Sequence, residues 1–118
     1  MNITLLESLE IDAAYLEDFA GKLEAMGHHF TAYETPAKDE EELLKRARGQ
    51  EILMIANHPL PDALIRQLDQ LKMIAVAFTG VDHVGLEACR EQGIDVLNCA
   101  GYSDQAVAEL VIGMSLSL

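Results

Sequence analysis

Polar residues and one glycine stand where several apolar segments of the chain end. They are Glu7 and Ser8, Asn57 and His58, Thr79 and Gly80, and, further along, Asn98 and Ser103. Carboxylate, carboxamide, imidazole and hydroxyl groups, together with backbone N–H groups beside a glycine, can hydrogen-bond a small polar ligand. From the residues alone, the Thr79–Gly80 segment is either a binding loop of this kind or a tight strand-to-helix turn with nothing bound.

The elements that must position these residues follow a regular alternation of strand and helix patterns. The expected strands cover 2–8, 28–33, 51–57, 73–78 and 94–99, and the expected helices cover 12–26, 39–48, 61–68, 82–92 and 103–118. Asp12 and Asp82 are the expected N-caps of two of these helices. Asp39 and Glu42 have the spacing of a capping box, and Pro61 has the place of a first helical residue.

Five strand–helix units predict an α/β fold with a parallel sheet. The leading topology is a flavodoxin-like three-layer sandwich with a five-stranded parallel sheet in the order 2-1-3-4-5, and residues 1–118 form one domain. Ligands of such sheets bind beyond the carboxyl ends of the strands, where the strand order reverses. We therefore expect a crevice between the first and third strands, with the fourth strand alongside.

The charge of the chain argues against one class of partner. The sequence has 8 Lys and Arg against 20 Asp and Glu, which gives a net charge of −12 and a pI of about 4.5. Such a field repels phosphate backbones, so we expect no nucleic-acid partner. The densest basic cluster, 45–48, follows an acidic run on the same predicted helix, where it complements the helix dipole.

Cysteine usage and hydropathy predict a cytoplasmic protein. Cys89 and Cys99 are too few for a disulfide framework and are expected to be buried thiols in a reducing compartment. The N-terminus has no secretory signal pattern. The last apolar run is too short to span a bilayer and contains Glu109, so we expect no membrane anchor.

Two cofactor classes are disfavoured by the residues available to hold them. An FMN phosphate would meet the segment after the first strand, where Glu7, Glu10 and Asp12 would repel it. His28 and His29 are adjacent in a predicted strand, so their side chains point to opposite faces and make poor joint metal ligands. We therefore expect neither a flavin site nor a metal site.

A phospho-receiver domain has a similar length and the same number of units. Receivers need an acidic cluster after the first strand and a Thr or Ser after the fourth, and this chain has Glu7 and Thr79 at these places. They also need an Asp at the end of the third strand and a Lys after the fifth. Asn57 and Asn98 stand near those positions, so an active receiver is not expected.

The last third of the chain carries a more specific pattern, "LKMIAVAFTGVDHVGLEACREQGIDVLNCAGYSDQAVAEL", residues 71–110. This segment closely resembles the D-isomer-specific 2-hydroxyacid dehydrogenases. The shared elements are a strand ending in a Gly-containing loop followed by Asp, a helix ending in R-x-x-G-I, a strand ending in Asn, a Tyr-Ser turn and a V-A-E helix. The segment "NHPL", 57–60, is similar to the hydroxypyruvate and glycerate reductase branch, and the first fifty residues match the family in outline.

The resemblance implies a two-domain parent protein. Residues 1–118 would be its substrate domain, and 103–118 would be the helix that crosses to a cofactor domain. No G-x-G-x-x-G motif occurs in this sequence, and the family's catalytic Arg, Glu and His would lie downstream. The resemblance therefore implies no catalytic residue and no cofactor in this chain, with NAD(H) or NADP(H) bound by the full-length parent.

The resemblance also assigns a substrate site for the carboxylate of a small 2-oxo or 2-hydroxy acid. The backbone N–H groups of Thr79, Gly80 and Val81 would bind this carboxylate without a basic side chain, because Gly80 lets the backbone approach the ligand closely. Asn57 would line the pocket. Ser103 either faces the substrate or caps the last helix.

The apolar closing helix needs a covering partner. Residues 106–118 either fold back onto the sheet or dock on a second copy, and we expect a homodimer through this helix. Two function classes remain open at this point. One is an isolated substrate domain that is inactive alone, and the other is a stand-alone flavodoxin-like or receiver-like binding module without catalysis.

Overall fold

The structure is a computed structural model, and it describes residues 1–99. Five short strands lie parallel in one sheet with the order β2-β1-β3-β4-β5. They are β1 (Asn2–Leu5), β2 (His29–Ala32), β3 (Ile52–Ile55), β4 (Met73–Val76) and β5 (Asp95–Leu97). The predicted fold class and strand order are confirmed. The strands are shorter than the runs that predicted them, because buried residues such as Leu6 and Ala56 continue beyond the paired segments.

Four helices lie between the strands: α1 (Ala13–Ala25), α2 (Glu40–Ala47), α3 (Asp62–Ile65) and α4 (Leu86–Gln92). The predicted cap of α1 is confirmed, since the Asp12 carboxylate accepts a hydrogen bond from the Ala14 N–H at 3.0 Å. Asp39 caps α2 by accepting from the Glu42 N–H at 2.8 Å. The Glu42 carboxylate reaches back to the N–H of Lys38, at 2.6 Å, which is one residue before the cap.

Each face of the sheet has its own hydrophobic core, because alternate strand residues point to opposite faces. Leu53 and Ile55 pack with residues of α2, α3 and α4. Ile52 and Met54 pack on the other face with residues of α1 such as Leu23. Every residue of β3 is buried, as expected of a strand that is covered on both sides. The predicted three-layer arrangement is confirmed.

The start of α4 differs from the sequence prediction. The helix begins at Leu86 with Gly85 at its N-cap, so the assignment of Asp82 as the cap was wrong. Residues 83–85 instead run beside Leu60: the Leu60 N–H donates to the carbonyl oxygen of His83 at 2.8 Å, and the Gly85 N–H donates to the carbonyl oxygen of Leu60 at 2.7 Å. Because these bonds hold the segment in a parallel bridge, helical hydrogen bonding starts after it.

The N-terminus of α4 is capped from outside the helix. The carboxylate of Asp62, in α3, accepts a hydrogen bond from the Ala88 N–H at 2.9 Å. This cap needs close packing: a Cβ atom on Gly85 would lie 2.6 Å from the backbone nitrogen of Asp62 and 2.8 Å from its Cα. Pro61 is the N-cap of α3, one residue before the helical position expected for it, and α3 is shorter than predicted.

The expectations for 103–118, including the crossing helix, Ser103 and the dimer surface at 106–118, lie outside the described residues. Within residues 1–99, no helix has the length and apolar character needed to cross a membrane.

Candidate functional site

The carboxyl ends of β1, β3 and β4 open onto a cleft of about 270 Å³. It is lined by the segment after β1 and by the ends of the other two strands: Glu7, Ser8, Leu9, Glu10, Ala56, Asn57, Ala77 and Phe78. This is the place where the strand order reverses, since β1 lies between β2 and β3. The structure therefore brings Glu7, Ser8 and Asn57 to the edge at which the sequence placed them.

Glu7 joins two of the loops that form the cleft. One of its carboxylate oxygens accepts from the Asn57 N–H at 3.1 Å, and the other accepts from the His58 N–H at 2.6 Å. Hydrogen bonds to an ionised acceptor are the stronger kind, so this pair fixes the loop after β3 to the loop after β1. The His58 ring bonds to the carbonyl oxygen of Pro59 at 3.0 Å, which turns it onto its own backbone.

The Thr79–Gly80 loop is tied to the end of β5. The side-chain amide of Asn98 donates to the carbonyl oxygen of Thr79 at 2.8 Å, and the Cys99 N–H donates to the carbonyl oxygen of Phe78 at 3.0 Å. All described peptide bonds are trans. In a trans peptide, the carbonyl of one residue and the N–H of the next point in opposite directions. The Gly80 N–H is therefore directed away from Asn98.

The loop presents backbone donors that the rest of the described chain leaves unused. The N–H groups of Thr79, Gly80 and Val81 form no hydrogen bond to any residue within 1–99. Gly80 is exposed, and a Cβ atom on it would meet nothing within 4 Å. Its φ lies outside the left-handed region, so packing and backbone geometry of the described part do not require a glycine there. Its small size instead leaves the backbone open to approach by a ligand.

The loop and the cleft are adjacent without being the same surface. Phe78 is 39% exposed and forms part of the cleft wall. Thr79, Gly80 and Val81 follow it directly and are not among the residues that line the cleft. Phe78 thus connects the cleft to the unused N–H groups, and a ligand held at both would span this junction.

Nucleophilic chemistry is not favoured by the thiols. Cys89 and Cys99 are buried and form no disulfide. Burial raises the pKa of both thiols above the ordinary value, and the nearby Asp62 charge adds to the rise for Cys89. The neutral thiol is therefore the stable form near pH 7. Within residues 1–99, no three His, Cys, Asp or Glu side chains come together as a set of metal ligands.

Three contributions to the site were missed in the sequence. Glu7 was predicted to lie at the crevice and to repel an FMN phosphate, and its carboxylate also bonds the loop after β3. Asn98 was placed further along the chain and holds the Thr79 carbonyl. Phe78 was predicted as the end of a strand and also forms part of the cleft wall. In the sequence, Glu7 and Asn98 were indicated by their position at the end of a predicted strand. Sequence position does not reveal whether such a side chain faces a ligand or bonds to the neighbouring loop.

The chain matches known proteins over most of its length. The model of the family "D-isomer specific 2-hydroxyacid dehydrogenase, catalytic domain" matches residues 3–113. Glycerate dehydrogenase of Methylorubrum extorquens is 40% identical over 91 residues, which are 77% of this chain and 29% of that protein. Hydroxypyruvate reductase of Blautia hydrogenotrophica is 26% identical over 118 residues, which are 100% of this chain and 36% of that protein.

Solved structures agree with these matches. A 3-phosphoglycerate dehydrogenase of Entamoeba histolytica with bound NAD⁺ superimposes with a TM-score of 0.76 and 26% identity, over 98% of this chain and 38% of that one. The chain thus spans about a third of the length of the relatives it matches. The family match, the sequence identities and the parallel sheet lead to one conclusion: the chain belongs to the D-isomer specific 2-hydroxyacid dehydrogenase family.

Proposed function

We propose that this chain is the substrate-binding part of an NAD(P)-dependent D-2-hydroxyacid dehydrogenase. The observation that carries the proposal is the set of N–H groups at 79–81 that have no partner within the described residues. Their loop is held by Asn98, so the Gly80 donor has a defined direction before a ligand arrives. A carboxylate oxygen is a good acceptor for several such donors.

The ligand is a small 2-oxo or 2-hydroxy acid whose carboxylate binds at Thr79, Gly80 and Val81. The rest of the molecule extends past Phe78 into the cleft, where the Asn57 side chain contributes a carboxamide. The Asn57 backbone N–H is bonded to Glu7, so the donor that Asn57 offers to a ligand is its side-chain amide. Ser103 is a further candidate contact from the part of the chain beyond residue 99.

Hydride transfer belongs to a part of the parent protein that this chain does not supply. The sequence has no G-x-G-x-x-G motif for the pyrophosphate of a dinucleotide. The chain also spans only 29% of one matched relative and 38% of a matched structure. NAD(H) or NADP(H) would therefore bind elsewhere in the longer protein, and the chain by itself is inactive.

The binding proposal is tested by ¹⁵N NMR titration of the 118-residue chain with hydroxypyruvate. We expect the amide signals of Gly80 and Val81 to move most. Dihydroxyacetone is the matched control, because it replaces the carboxylate by a neutral hydroxymethyl group and should move these signals far less. Equal shifts with both compounds, or shifts confined to other residues, would refute the carboxylate site.

The inactivity proposal is tested by mixing the chain with NADH and hydroxypyruvate and following NADH absorbance. We expect no NADH consumption beyond the protein-free blank. Measurable turnover would contradict the proposal that hydride transfer needs another part of the parent protein. The chain has two cysteines, too few for a disulfide framework, and this composition supports the proposal of a cytoplasmic location. Dimerisation through 106–118 is tested by sedimentation, and a monomer at every concentration would remove that part of the proposal.

A further inference from the structure

The cleft beside the Thr79–Gly80 loop contains two carboxylates and no cation. Glu7 and Glu10 are among its lining residues. All eight Lys and Arg residues of the sequence lie within 1–99, and none of them lines the cleft. Residues 100–118 contain no Lys or Arg that could balance these charges.

Several of the cations are occupied elsewhere. Salt bridges join Lys22 to Asp18, Arg46 to Glu42, Arg66 to Glu91 and Lys72 to Glu51, at 2.9 to 3.2 Å. Residues 66 and 91 belong to the α3–α4 side of the molecule, and residues 51 and 72 precede β3 and β4 at the opposite end of the sheet from the cleft. None of these ion-pair residues lines the cleft, so no salt bridge within residues 1–99 neutralises Glu7 or Glu10.

The Glu7 carboxylate and the Glu10 backbone are both held by hydrogen bonds. Glu7 is held by its two bonds to the loop after β3. Glu10 has a φ of 56°, in the left-handed region, and its N–H donates to the Ser8 hydroxyl oxygen at 3.0 Å. Asp12 adds a third carboxylate nearby in sequence, at the N-terminus of α1, where it already bonds to a helix N–H. The start of α1 is thus not an open anion site.

Apart from the two carboxylates, the cleft wall consists of four apolar residues with Ser8 and Asn57, and the space is small. Leu9, Ala56, Ala77 and Phe78 supply the apolar side chains. A volume of about 270 Å³ lies below the usual range of about 300–1,000 Å³ for drug-sized ligands. The cleft therefore suits a short molecule, and its charge opposes a second anionic group on that molecule.

We propose that this cleft selects short 2-oxo acids whose distal end carries no negative charge, and that it rejects phosphorylated or doubly carboxylated ones. This inference rests on the proposed carboxylate site at 79–81, which would leave the distal end of the substrate in the acidic cleft. Family membership does not decide the question, since both a glycerate dehydrogenase and a 3-phosphoglycerate dehydrogenase match the chain.

The test compares hydroxypyruvate with 3-phosphohydroxypyruvate in NMR titrations of the 118-residue chain at low salt. We expect the phosphorylated compound to bind about tenfold more weakly, and the difference to shrink in about 1 M NaCl because salt screens the repulsion. Equal affinities at low salt, with shifts at Gly80, would overturn the charge selection and leave the carboxylate site intact. The absence of shifts at Gly80 with either compound would refute both proposals.

Charge variants locate the selecting group. Glu10→Lys should raise the affinity for 3-phosphohydroxypyruvate and so reduce or reverse the preference of the chain for hydroxypyruvate. Glu10→Gln should have a smaller effect in the same direction. Glu24→Lys is the matched control: it changes the net charge equally but lies near the other end of α1, about 16 Å along the helix from its start. Amide signals away from residues 7–12 report whether each variant is folded. Equal effects of the two Lys variants would overturn the local role of the cleft.

Discussion

The side-chain amide of Asn98 donates a 2.8 Å hydrogen bond to the carbonyl oxygen of Thr79, and this bond sets the direction of the Gly80 N–H. The two residues follow neighbouring strands, β5 and β4, which pair in parallel and therefore end at the same edge of the sheet. Asn98 is thus proposed as a positioning residue, because its hydrogen bond is to the loop whose Gly80 N–H would bind the ligand. Its side chain joins the Thr79–Gly80 loop to the end of β5.

The first prediction concerns Asn98→Ala. We expect the loss of one exposed hydrogen bond to cost about 0.5–1.5 kcal/mol of unfolding free energy. Hydroxypyruvate binding should weaken as well, with altered Gly80 and Val81 amide signals in the absence of ligand. Asn2→Ala is the control, because the Asn2 amide also donates to a backbone carbonyl, that of Gly49 at 3.2 Å, but lies at the opposite end of the sheet. If both variants weaken binding equally, Asn98 has no specific positioning role.

The second prediction concerns the Glu7 clamp. In Glu7→Gln, the amide NH₂ group would face one of the two backbone donors, at Asn57 or His58, and at least one bond would be lost. We expect destabilisation of about 1–3 kcal/mol in urea unfolding, with faster hydrogen exchange of these two amides. Glu17→Gln on the exposed side of α1 should change neither quantity measurably. Unchanged exchange at residues 57 and 58 would contradict the clamp.

The third prediction uses two glycines with opposite surroundings. Gly85→Ala places a Cβ atom 2.6 Å from the backbone nitrogen of Asp62, so α3 and α4 must move apart, and we expect a loss of about 1–3 kcal/mol. Gly21→Ala places a Cβ atom in open space within α1 and should stabilise the protein by about 0.5–1 kcal/mol. Thermal or urea unfolding measures both. Gly85→Ala with wild-type stability would show that the α3–α4 contact is looser than the structure indicates.

The fourth prediction concerns pH. The hydrogen bond from the Lys38 N–H, with a smaller contribution from Arg46, lowers the pKa of Glu42 below its ordinary value. A carboxyl group whose pKa is lower in the folded state contributes stability that is present above its unfolded pKa and is lost as pH falls through the folded pKa. Glu42→Gln should therefore be less stable than the wild type at about pH 7, and the difference should shrink towards about pH 3.

Urea unfolding across this pH range measures the difference. Glu41→Gln, one residue earlier on an exposed side of the same turn, is the matched control and should show a smaller difference from the wild type. A difference for Glu42→Gln that is the same at neutral and acidic pH would show that the carboxylate form is not what the Lys38 bond stabilises.

Much of the fold could be read from local patterns. The buried runs around Ile52–Ile55 and Met73–Val76 are apolar at every position, which is typical of strands covered on both faces. Asp12 and Asp39 stand at helix starts with the chemistry of a cap, and both caps are present. Asp82 has the same chemistry and does not cap, because the segment 83–85 bonds to Leu60, a residue more than twenty positions earlier. Helix-capping preferences describe only neighbouring residues, so they cannot predict hydrogen bonds to a segment that is distant in the sequence.

By itself, the sequence determined the alternation of strands and helices, the family pattern in residues 71–110 and the excess of negative charge, since each depends on residue type and short-range spacing. Only the tertiary structure decided what the polar residues at the strand ends do. Glu7 bonds to residues 57 and 58, and Asn98 bonds to Thr79, across 19 to 51 positions of the chain. Parallel strands bring their carboxyl ends together regardless of sequence distance, so partners at that edge are chosen by topology.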